Sequence, residues 1–344
     1  MEALREALAE LRGAGRGGGG GGGPFDRGRF WEALAGAFGA VSRAATGLSL
    51  AAAQPQAREK LSGELGSATL GAVLAYYQLP EGQGRTLNNA VRRATVQLVE
   101  GAIQLVEAFP RGGGRPQESL SQEQLISTGG VWAACDRASC LPRDNLAAVT
   151  LAVSSCLELV TDALEEMEQM QAEGGASPRD LLEDETDGSG GGLAWTEAER
   201  QLLGPCQGLV KAAKAGLRKL LAALRAHGAA DAEEQVAQLD ALAEAAAELS
   251  PSVDELVLSL CPPVHQLALR LNAGKLASVL MAVLDITRAS HLCPPSEESW
   301  VRFLAAAVDH NLGKIKGSTH GLLRDPGPTR EDRCAGDARP KELP

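Results

Sequence analysis

Residues 196–227 read TEAERQLLGPCQGLVKAAKAGLRKLLAALRAH, with apolar side chains at helical spacing. Leucine and valine recur every seven residues, at Leu203, Val210, Leu217 and Leu224. The Thr-Glu-Ala-Glu sequence at 196–199 matches a capping box, which satisfies the free amides of a helix start. We predict one amphipathic helix, ending near His227 and Gly228. Its apolar side belongs either to a bundle core or to a short zipper, and the bundle is favoured because a zipper usually needs three to four sustained heptads.

The same spacing recurs on both sides of this helix. Between residues 30 and 48 the apolar positions step by three or four, at Phe30, Leu34, Ala37, Val41, Ala44 and Leu48. Further helices are predicted at residues 55–78, 86–109, 121–140, 142–172, 233–249, 252–260, 264–290 and 296–315. Ser252 and Glu255 form a second possible capping box. No stretch alternates with period two over strand length, so the predicted fold class is all-α.

Glycine-rich and acidic segments divide these helices into two groups. The sequence predicts two packed helical bundles joined by an acidic flexible linker, because the linker composition cannot bury enough apolar surface to order itself. The predicted pieces are a flexible Gly-rich segment at 1–25, an N-terminal bundle at 26–172, the disordered linker at 173–195, a C-terminal bundle at 196–320 and a disordered tail at 321–344.

Composition and charge narrow the classes of function. The chain has a formal net charge of −11. Thirteen acidic residues and one base lie between Glu158 and Glu199, so this segment carries −12 and the remainder +1. This balance argues against direct nucleic-acid binding, which depends on Lys and Arg. No uninterrupted apolar run approaches the length needed to cross a bilayer, and the seven cysteines have no regular spacing. We therefore expect a soluble, intracellular protein with reduced thiols and no membrane contact.

Residues with the chemistry of an active site are scattered. The Gly-x-Gly-x-x-Gly match lies in the poly-Gly run without a preceding strand, and the five histidines and seven cysteines show no zinc spacing. Ser49 stands in an incomplete nucleophile elbow inside a helical stripe and is interpreted as a surface or packing residue. We expect no catalysis, no cofactor and no metal.

Charged side chains are the remaining candidates for a binding site. Acidic residues cluster at the end of the 142–172 helix and in the linker, at Glu165, Glu166, Glu168, Glu183, Asp184, Glu185 and Asp187. Basic residues form a stripe of sevenfold spacing at Lys211, Arg218 and Arg225, with Lys214 and Lys219 beside them. Negative charge at a helix C-terminus is unfavourable when isolated, so the acidic end favours an approaching cation. That cation is either the basic stripe or a partner protein.

Several stretches resemble the Grap-and-cyclin-D-interacting, or cyclin-D-binding, protein family. They are YYQLPEGQGRTLNNAVRRAT (76–95), VWAACDRASCLPRDN (131–145), DALEEMEQM (162–170), QVAQLD (235–240), SPSVDEL (250–256), NAGKLASVL (272–280) and ITRASH (286–291). They occur in the family's order and cover most of residues 30–315.

The resemblance implies two helical bundles, distantly like those of vinculin and talin, in a protein of nucleus and cytoplasm. It implies a negative regulator of the cell cycle that binds D-type cyclins, lowers phosphorylation of the retinoblastoma protein by their kinase, and reduces the transcription that follows. It also implies a Grap-family adaptor as a partner, and helix-loop-helix transcription factors as further partners.

Two other functions stay open at this stage. A helix-loop-helix regulator without a basic region would act by heterodimerisation through the heptad of Leu203, Val210, Leu217 and Leu224. A vinculin-like scaffold module would bind actin or short amphipathic helices.

Overall fold

The computed structural model describes residues 1–13, 25–51, 55–109, 121–172 and 195–320. These residues contain no strand and confirm the all-α prediction, with one 3-10 helix at Glu81–Gln83. The α-helices are α1 (Glu2–Gly13), α2 (Arg27–Leu50), α3 (Pro55–Tyr76), α4 (Arg85–Glu107), α5 (Gln122–Ser139), α6 (Asn145–Ala172), α7 (Glu197–His227), α8 (Glu233–Ala247), α9 (Leu249–Leu258), α10 (Gln266–Ala289) and α11 (Glu298–His320). Residues 14–24 of the predicted Gly-rich segment at 1–25, residues 173–194 of the predicted linker and the whole predicted tail lie outside the described residues, whereas residues 2–13 of the Gly-rich segment form α1.

Helix starts show where local signals succeed and fail. The capping box before α7 is confirmed, since the Glu199 carboxylate accepts from the Thr196 N–H at 2.7 Å and the Thr196 hydroxyl accepts from the Glu199 N–H. The start of α6 at Pro142 is wrong because the Asp144 carboxylate accepts from the Ala147 N–H at 2.8 Å and α6 begins at Asn145. The capping box at Ser252 is also wrong. Helix α9 begins at Leu249, and Ser252 is a buried helical residue whose hydroxyl has no hydrogen-bond partner.

Backbone contacts divide the chain into two compact units. The first comprises Met1–Ala152 and Gly228–Ala243, and the second comprises Val153–His227 and Glu244–Pro344. The residues in these units differ from those in the predicted domains at 26–172 and 196–320. The boundaries of those domains stay a prediction.

In the first unit, α2 packs against α3 and α5, and α4 packs against α3 and α5. Large side chains buried almost completely fill the space between them: Leu34, Phe38, Leu48, Leu65, Leu87, Leu98 and Leu105. Helix α1 lies on α4 and α3 and buries Leu4 and Leu11. The apolar stripe predicted from Phe30 to Leu48 therefore faces a core, with Val41 and Leu48 fully buried.

A buried carboxylate from late in the chain completes the first unit. Asp240 accepts hydrogen bonds from the backbone N–H groups of Arg85 and Thr86 at 2.7 and 2.9 Å and from the Thr86 hydroxyl at 2.7 Å. It also accepts from the side-chain NH2 of Asn145 at 3.0 Å, and the side-chain oxygen Oδ1 of Asn145 accepts from the Leu87 N–H at 3.0 Å. The free N–H groups that begin α4 are thus satisfied by side chains remote in sequence.

In the second unit, α7 packs against α11 and α10, and α10 packs against α9 and α11. Helices α7 and α11 approach closely at Gly208, where a Cβ atom would overlap the Asn311 side-chain amide. The Trp195 indole N–H donates to the Leu260 carbonyl at 2.7 Å, and the Cys156 thiol donates to the Ala246 carbonyl at 3.3 Å. Both of these buried donors are therefore paired with a backbone carbonyl in an otherwise leucine- and alanine-rich core.

Among the described residues, two helices are long and apolar enough to cross a membrane, judged by length and composition alone. The sequence-based prediction missed them because it considered only uninterrupted apolar runs. They are α6 and α10, and the apolar windows that pass the test are 33% and 39% buried. Val153 and Val160 of α6 and Leu269 and Leu276 of α10 are core residues. Helices that pack into a protein core have the same length and composition, so these two helices are weak evidence for a membrane span.

Candidate partner-binding face on helices α6 and α7

Two side-chain contacts set the register between α6 and α7 in the second unit. The Glu168 carboxylate lies 3.3 Å from the Lys211 ammonium, and the Gln207 side-chain amide donates to the side-chain oxygen Oε1 of Gln171 at 2.9 Å. Residue numbers rise on α6 as they fall on α7, so the two helices run antiparallel here. The sequence-based expectation that a cation approaches the acidic end of α6 is met at Glu168 by Lys211.

Helix α6 exposes a row of carboxylates along this stretch. Glu158, Asp162 and Glu165 are spaced by four and three residues, which places them on one helix face, and all three are exposed. Glu166 and Glu168 are exposed as well. We call these five residues the acidic ridge. Sequence analysis missed Glu158 and Asp162 as members, although their spacing from Glu165 is a sufficient signal.

Helix α7 exposes a row of cations beside it. Lys211, Arg218 and Arg225 are exposed and recur every seven residues, and Lys214 is half-buried between them. We call these four residues the basic ridge. The chain has no Asp or Glu from Gln201 to Ala230, so no acidic residue interrupts the basic ridge along its roughly four helical turns.

The ridges meet in one weak ion pair. The Glu168 and Lys211 side chains are 53% and 54% exposed, and pairs this exposed contribute at most about 1 kcal/mol. In the chain as described, Arg218, Arg225, Glu165 and Glu166 form no ion pair. The predicted contacts Glu183, Asp184, Glu185 and Asp187 lie outside the described residues. A role in partner binding stays a prediction for all of these charges.

The heptad on the opposite side of α7 is buried within the chain. Leu203, Val210, Leu217 and Leu224 are each at most 4% exposed. The bundle interpretation of this heptad is therefore the right one, and these side chains leave no apolar seam for a second chain.

Chemistry-bearing side chains elsewhere are either paired or dispersed. The Ser49 hydroxyl is buried, donates to the Ala45 carbonyl at 2.9 Å and lies 2.7 Å from the Thr128 hydroxyl, so Ser49 is a packing residue. Burial raises the pKa of the Cys135 thiol to about 11 and that of Cys206 to about 12, which keeps both protonated at neutral pH. Within the described ranges, no group of three or more His, Cys, Asp or Glu residues could hold a metal ion.

Comparison with known proteins matches this all-helical chain over most of its length. The family described as "Grap2 and cyclin-D-interacting, N-terminal" matches residues 33–173, and its C-terminal counterpart matches residues 181–285. Cyclin-D1-binding protein 1 homolog of Xenopus laevis is 48% identical over 329 residues, covering 94% of this chain and 98% of the relative.

Two further relatives, one with this name and one named cyclin-D1-binding protein 1, have similar coverage. The Danio rerio homolog is 46% identical over 301 residues, covering 85% of this chain and 87% of the relative. Cyclin-D1-binding protein 1 of Homo sapiens is 38% identical over 318 residues, covering 87% of each. Identity at this level over most of both chains shows that this protein belongs to the Grap2 and cyclin-D-interacting family.

Proposed function

We propose that this protein binds a D-type cyclin and acts by occupying it, without catalysis. The observation that carries the proposal is the near-full-length similarity to relatives named cyclin-D1-binding protein 1. The finer proposal is that binding lowers phosphorylation of the retinoblastoma protein by the cyclin-D-dependent kinase, which restrains cell-cycle progression and the transcription that follows. A Grap-family adaptor is a second proposed partner, and the proposed location is both nucleus and cytoplasm, without direct contact to nucleic acid or membrane.

The acidic ridge is the surface that we assign to cyclin recognition. Its carboxylates are exposed and, apart from Glu168, carry no ion pair in the described chain. Fixed negative charge attracts a basic patch on a partner and speeds association, and salt weakens this effect as the Debye length shortens. The acidic residues Glu183, Asp184, Glu185 and Asp187 extend the same sign of charge along the sequence.

No observation favours heterodimerisation through the α7 heptad, because those four side chains already fill the core of the second unit. Partnership with helix-loop-helix factors would have to use another surface. The structure likewise offers no specific support for a vinculin-type scaffold function beyond its helical fold class.

The test is calorimetric titration of a purified D-type cyclin into four forms of the full-length protein at low and high salt. The forms are the unmodified chain, a chain lacking residues 173–192, the double variant Glu165→Lys/Glu166→Lys, and a matched control, Glu32→Lys/Glu59→Lys. The control reverses two exposed carboxylates of the first unit. We expect weaker, less salt-sensitive binding for the deletion and the α6 variant, and unchanged binding for the control.

Each outcome decides one part of the proposal. Absence of binding by the unmodified chain would exclude direct cyclin recognition. Unchanged binding by both acidic variants would exclude the ridge and the linker from recognition while leaving cyclin binding intact. The finer proposal predicts that adding the protein to a cyclin-D-dependent kinase reaction slows phosphorylation of the retinoblastoma protein, and an unchanged rate would contradict it.

A further inference from the structure

The α6–α7 face carries two ridges of opposite charge side by side. The helices are antiparallel and Glu168 pairs with Lys211. Residues that precede Glu168 on α6 therefore lie beside residues that follow Lys211 on α7. Helical geometry therefore places Glu165 alongside Lys214 and Asp162 alongside Arg218. Neighbouring packed helices lie about 8–10 Å apart, so the two ridges are parallel rows of opposite sign at that spacing.

Most of these charges have no partner within the described chain. Lys211 and Glu168 form the one ion pair between the ridges in the residues described, while Asp162, Glu165, Lys214 and Arg218 form none. Rows of like charge three or four residues apart on a helix repel one another. The approach of an oppositely charged surface therefore lowers the electrostatic free energy of both ridges.

The adjacent rows restrict which surface fits. A nucleic acid or an anionic membrane that approached the basic ridge would be repelled by the acidic ridge beside it. A basic surface broad enough to cover both ridges would be repelled by the basic ridge, whereas a narrow basic patch could contact the acidic ridge alone. The complementary surface needs one acidic and one basic row about 10 Å apart. The face itself has this arrangement.

We propose that the α6–α7 face binds a second copy of this chain. A two-fold axis that runs parallel to the helices, between the ridges, places the acidic ridge of each copy over the basic ridge of its partner. Glu158, Asp162 and Glu165 of one copy then face Lys214, Arg218 and Arg225 of the other, and the reverse holds across the axis. This proposal goes beyond cyclin binding and does not rest on it.

The residues between the charges suit a close but weak contact. Ala215 and Ala222 lie on the outer side of α7 among the cations, and their small side chains let two helices approach. Leu159 of α6 is 54% exposed and supplies apolar area next to the acidic ridge. The basic ridge runs over 15 residues, from Lys211 to Arg225, or roughly 21 Å of helix, so the area that this face can bury is small for a permanent interface. We expect a reversible dimer that forms at low salt and dissociates as salt increases.

Sedimentation velocity of the full-length protein, without cyclin, tests the proposal. The unmodified chain should dimerise with increasing concentration at low salt and be monomeric at high salt. The variants Lys214→Glu/Arg218→Glu and Asp162→Lys/Glu165→Lys should each be monomeric at both salts. An equimolar mixture of these two variants should restore the dimer, since one then presents two acidic rows and the other two basic rows.

A matched control and a folding measurement make the result decisive. Lys314→Glu/Lys316→Glu reverses two exposed cations on α11 of the same unit and should dimerise like the unmodified chain. Thermal unfolding by circular dichroism shows that each variant folds. A monomeric unmodified chain at low salt, a dimer that survives either ridge variant, or a mixture that stays monomeric would overturn the proposal. Because sedimentation is measured without cyclin, none of these results contradicts the proposed cyclin binding, which the calorimetric titration tests separately.

Discussion

Asp240 and Thr86 are 154 residues apart in sequence, yet one carboxylate oxygen of Asp240 accepts from both the backbone N–H and the hydroxyl of Thr86. The other oxygen accepts from the Arg85 N–H. Asp240 therefore performs for α4 the task that a local capping residue performs for most helices. The cap belongs to the first unit, although it comes from a segment, Gly228–Ala243, that lies between two stretches of the second.

Replacing Asp240 with Ala should reduce the free energy of unfolding by roughly 2–4 kcal/mol. The change leaves the N–H groups of Arg85 and Thr86 and the Asn145 amide without their acceptor, and each buried unpaired group costs about 1–3 kcal/mol, partly relieved by water. Urea unfolding followed by circular dichroism measures the loss. Asp309→Ala, which removes an exposed carboxylate from α11, should change stability little, and an equal effect of the two substitutions would contradict the cap.

Gly84→Ala should destabilise the protein by at least about 2 kcal/mol. Gly84 has a φ of +109°, which L side chains rarely adopt, and a Cβ atom there would overlap the Asn145 side chain. The matched substitution is Gly274→Ala inside α10, where a Cβ atom meets open space. It should instead stabilise by about 0.5–1 kcal/mol, so opposite shifts of the melting temperature are expected.

Leu217→Ala should cost about 2–5 kcal/mol because it opens a cavity beneath α7, and Leu217→Glu should unfold the second unit. Ala222→Glu places the same charge on an exposed position of the same helix and should alter stability by less than about 0.5 kcal/mol. Denaturant titration of the three variants measures this difference. A folded Leu217→Glu protein that had lost only a binding partner would contradict the core assignment.

Glu199 should make stability depend on pH in the acidic range. Burial raises the pKa of its carboxyl, but hydrogen bonds from the N–H groups of Thr196 and Val264 outweigh burial and lower it below 4.5. A lowered pKa in the folded state stabilises the protein above the unfolded value, and this contribution disappears as pH falls through the folded value. Glu199→Gln should therefore be less stable than the unmodified chain at pH 7, and the difference should shrink below about pH 4.5.

The control for this prediction is Glu197→Gln, which removes a neighbouring exposed carboxylate. Urea unfolding of the three proteins between neutral and acidic pH checks it. A stability difference between Glu199→Gln and the unmodified chain that stayed constant across the range would contradict it.

Local patterns predicted the features that depend on neighbouring residues. The α7 heptad and its capping box involve residues at most one or two turns apart, so the burial of Leu217 and the bond of Glu199 to Thr196 follow from the sequence. The helix start predicted at Ser252 was wrong because α9 begins three residues earlier, at the buried Leu249. Pro251 does not prevent this, since proline is tolerated in the first turn of a helix. A polar residue after Pro251 therefore gave a false start signal.

No local sequence pattern predicts the long-range hydrogen bonds of Asp240. Asp240 sits within a helical segment whose carboxylates usually face water, and nothing in the sequence relates it to Thr86 or Asn145. The stretches 76–95, 131–145 and 235–240 that carry the family resemblance each contribute to this one hydrogen-bonded cluster. The resemblance thus marked the residues that meet, but only the fold shows that they meet.

The distance between Asn145 and Asp240 along the chain also matters on the ribosome. The two residues are 95 positions apart, which at about 5–20 residues per second corresponds to roughly 5–20 s of synthesis. Throughout that interval a nascent chain contains α1 to α5 and Asn145, but the Arg85 and Thr86 N–H groups at the start of α4 lack the Asp240 carboxylate that accepts from them in the folded protein. The first helical unit to emerge is therefore completed only after residue 240 of 344 has been translated, and a truncated transcript that stops earlier encodes an uncapped version of it.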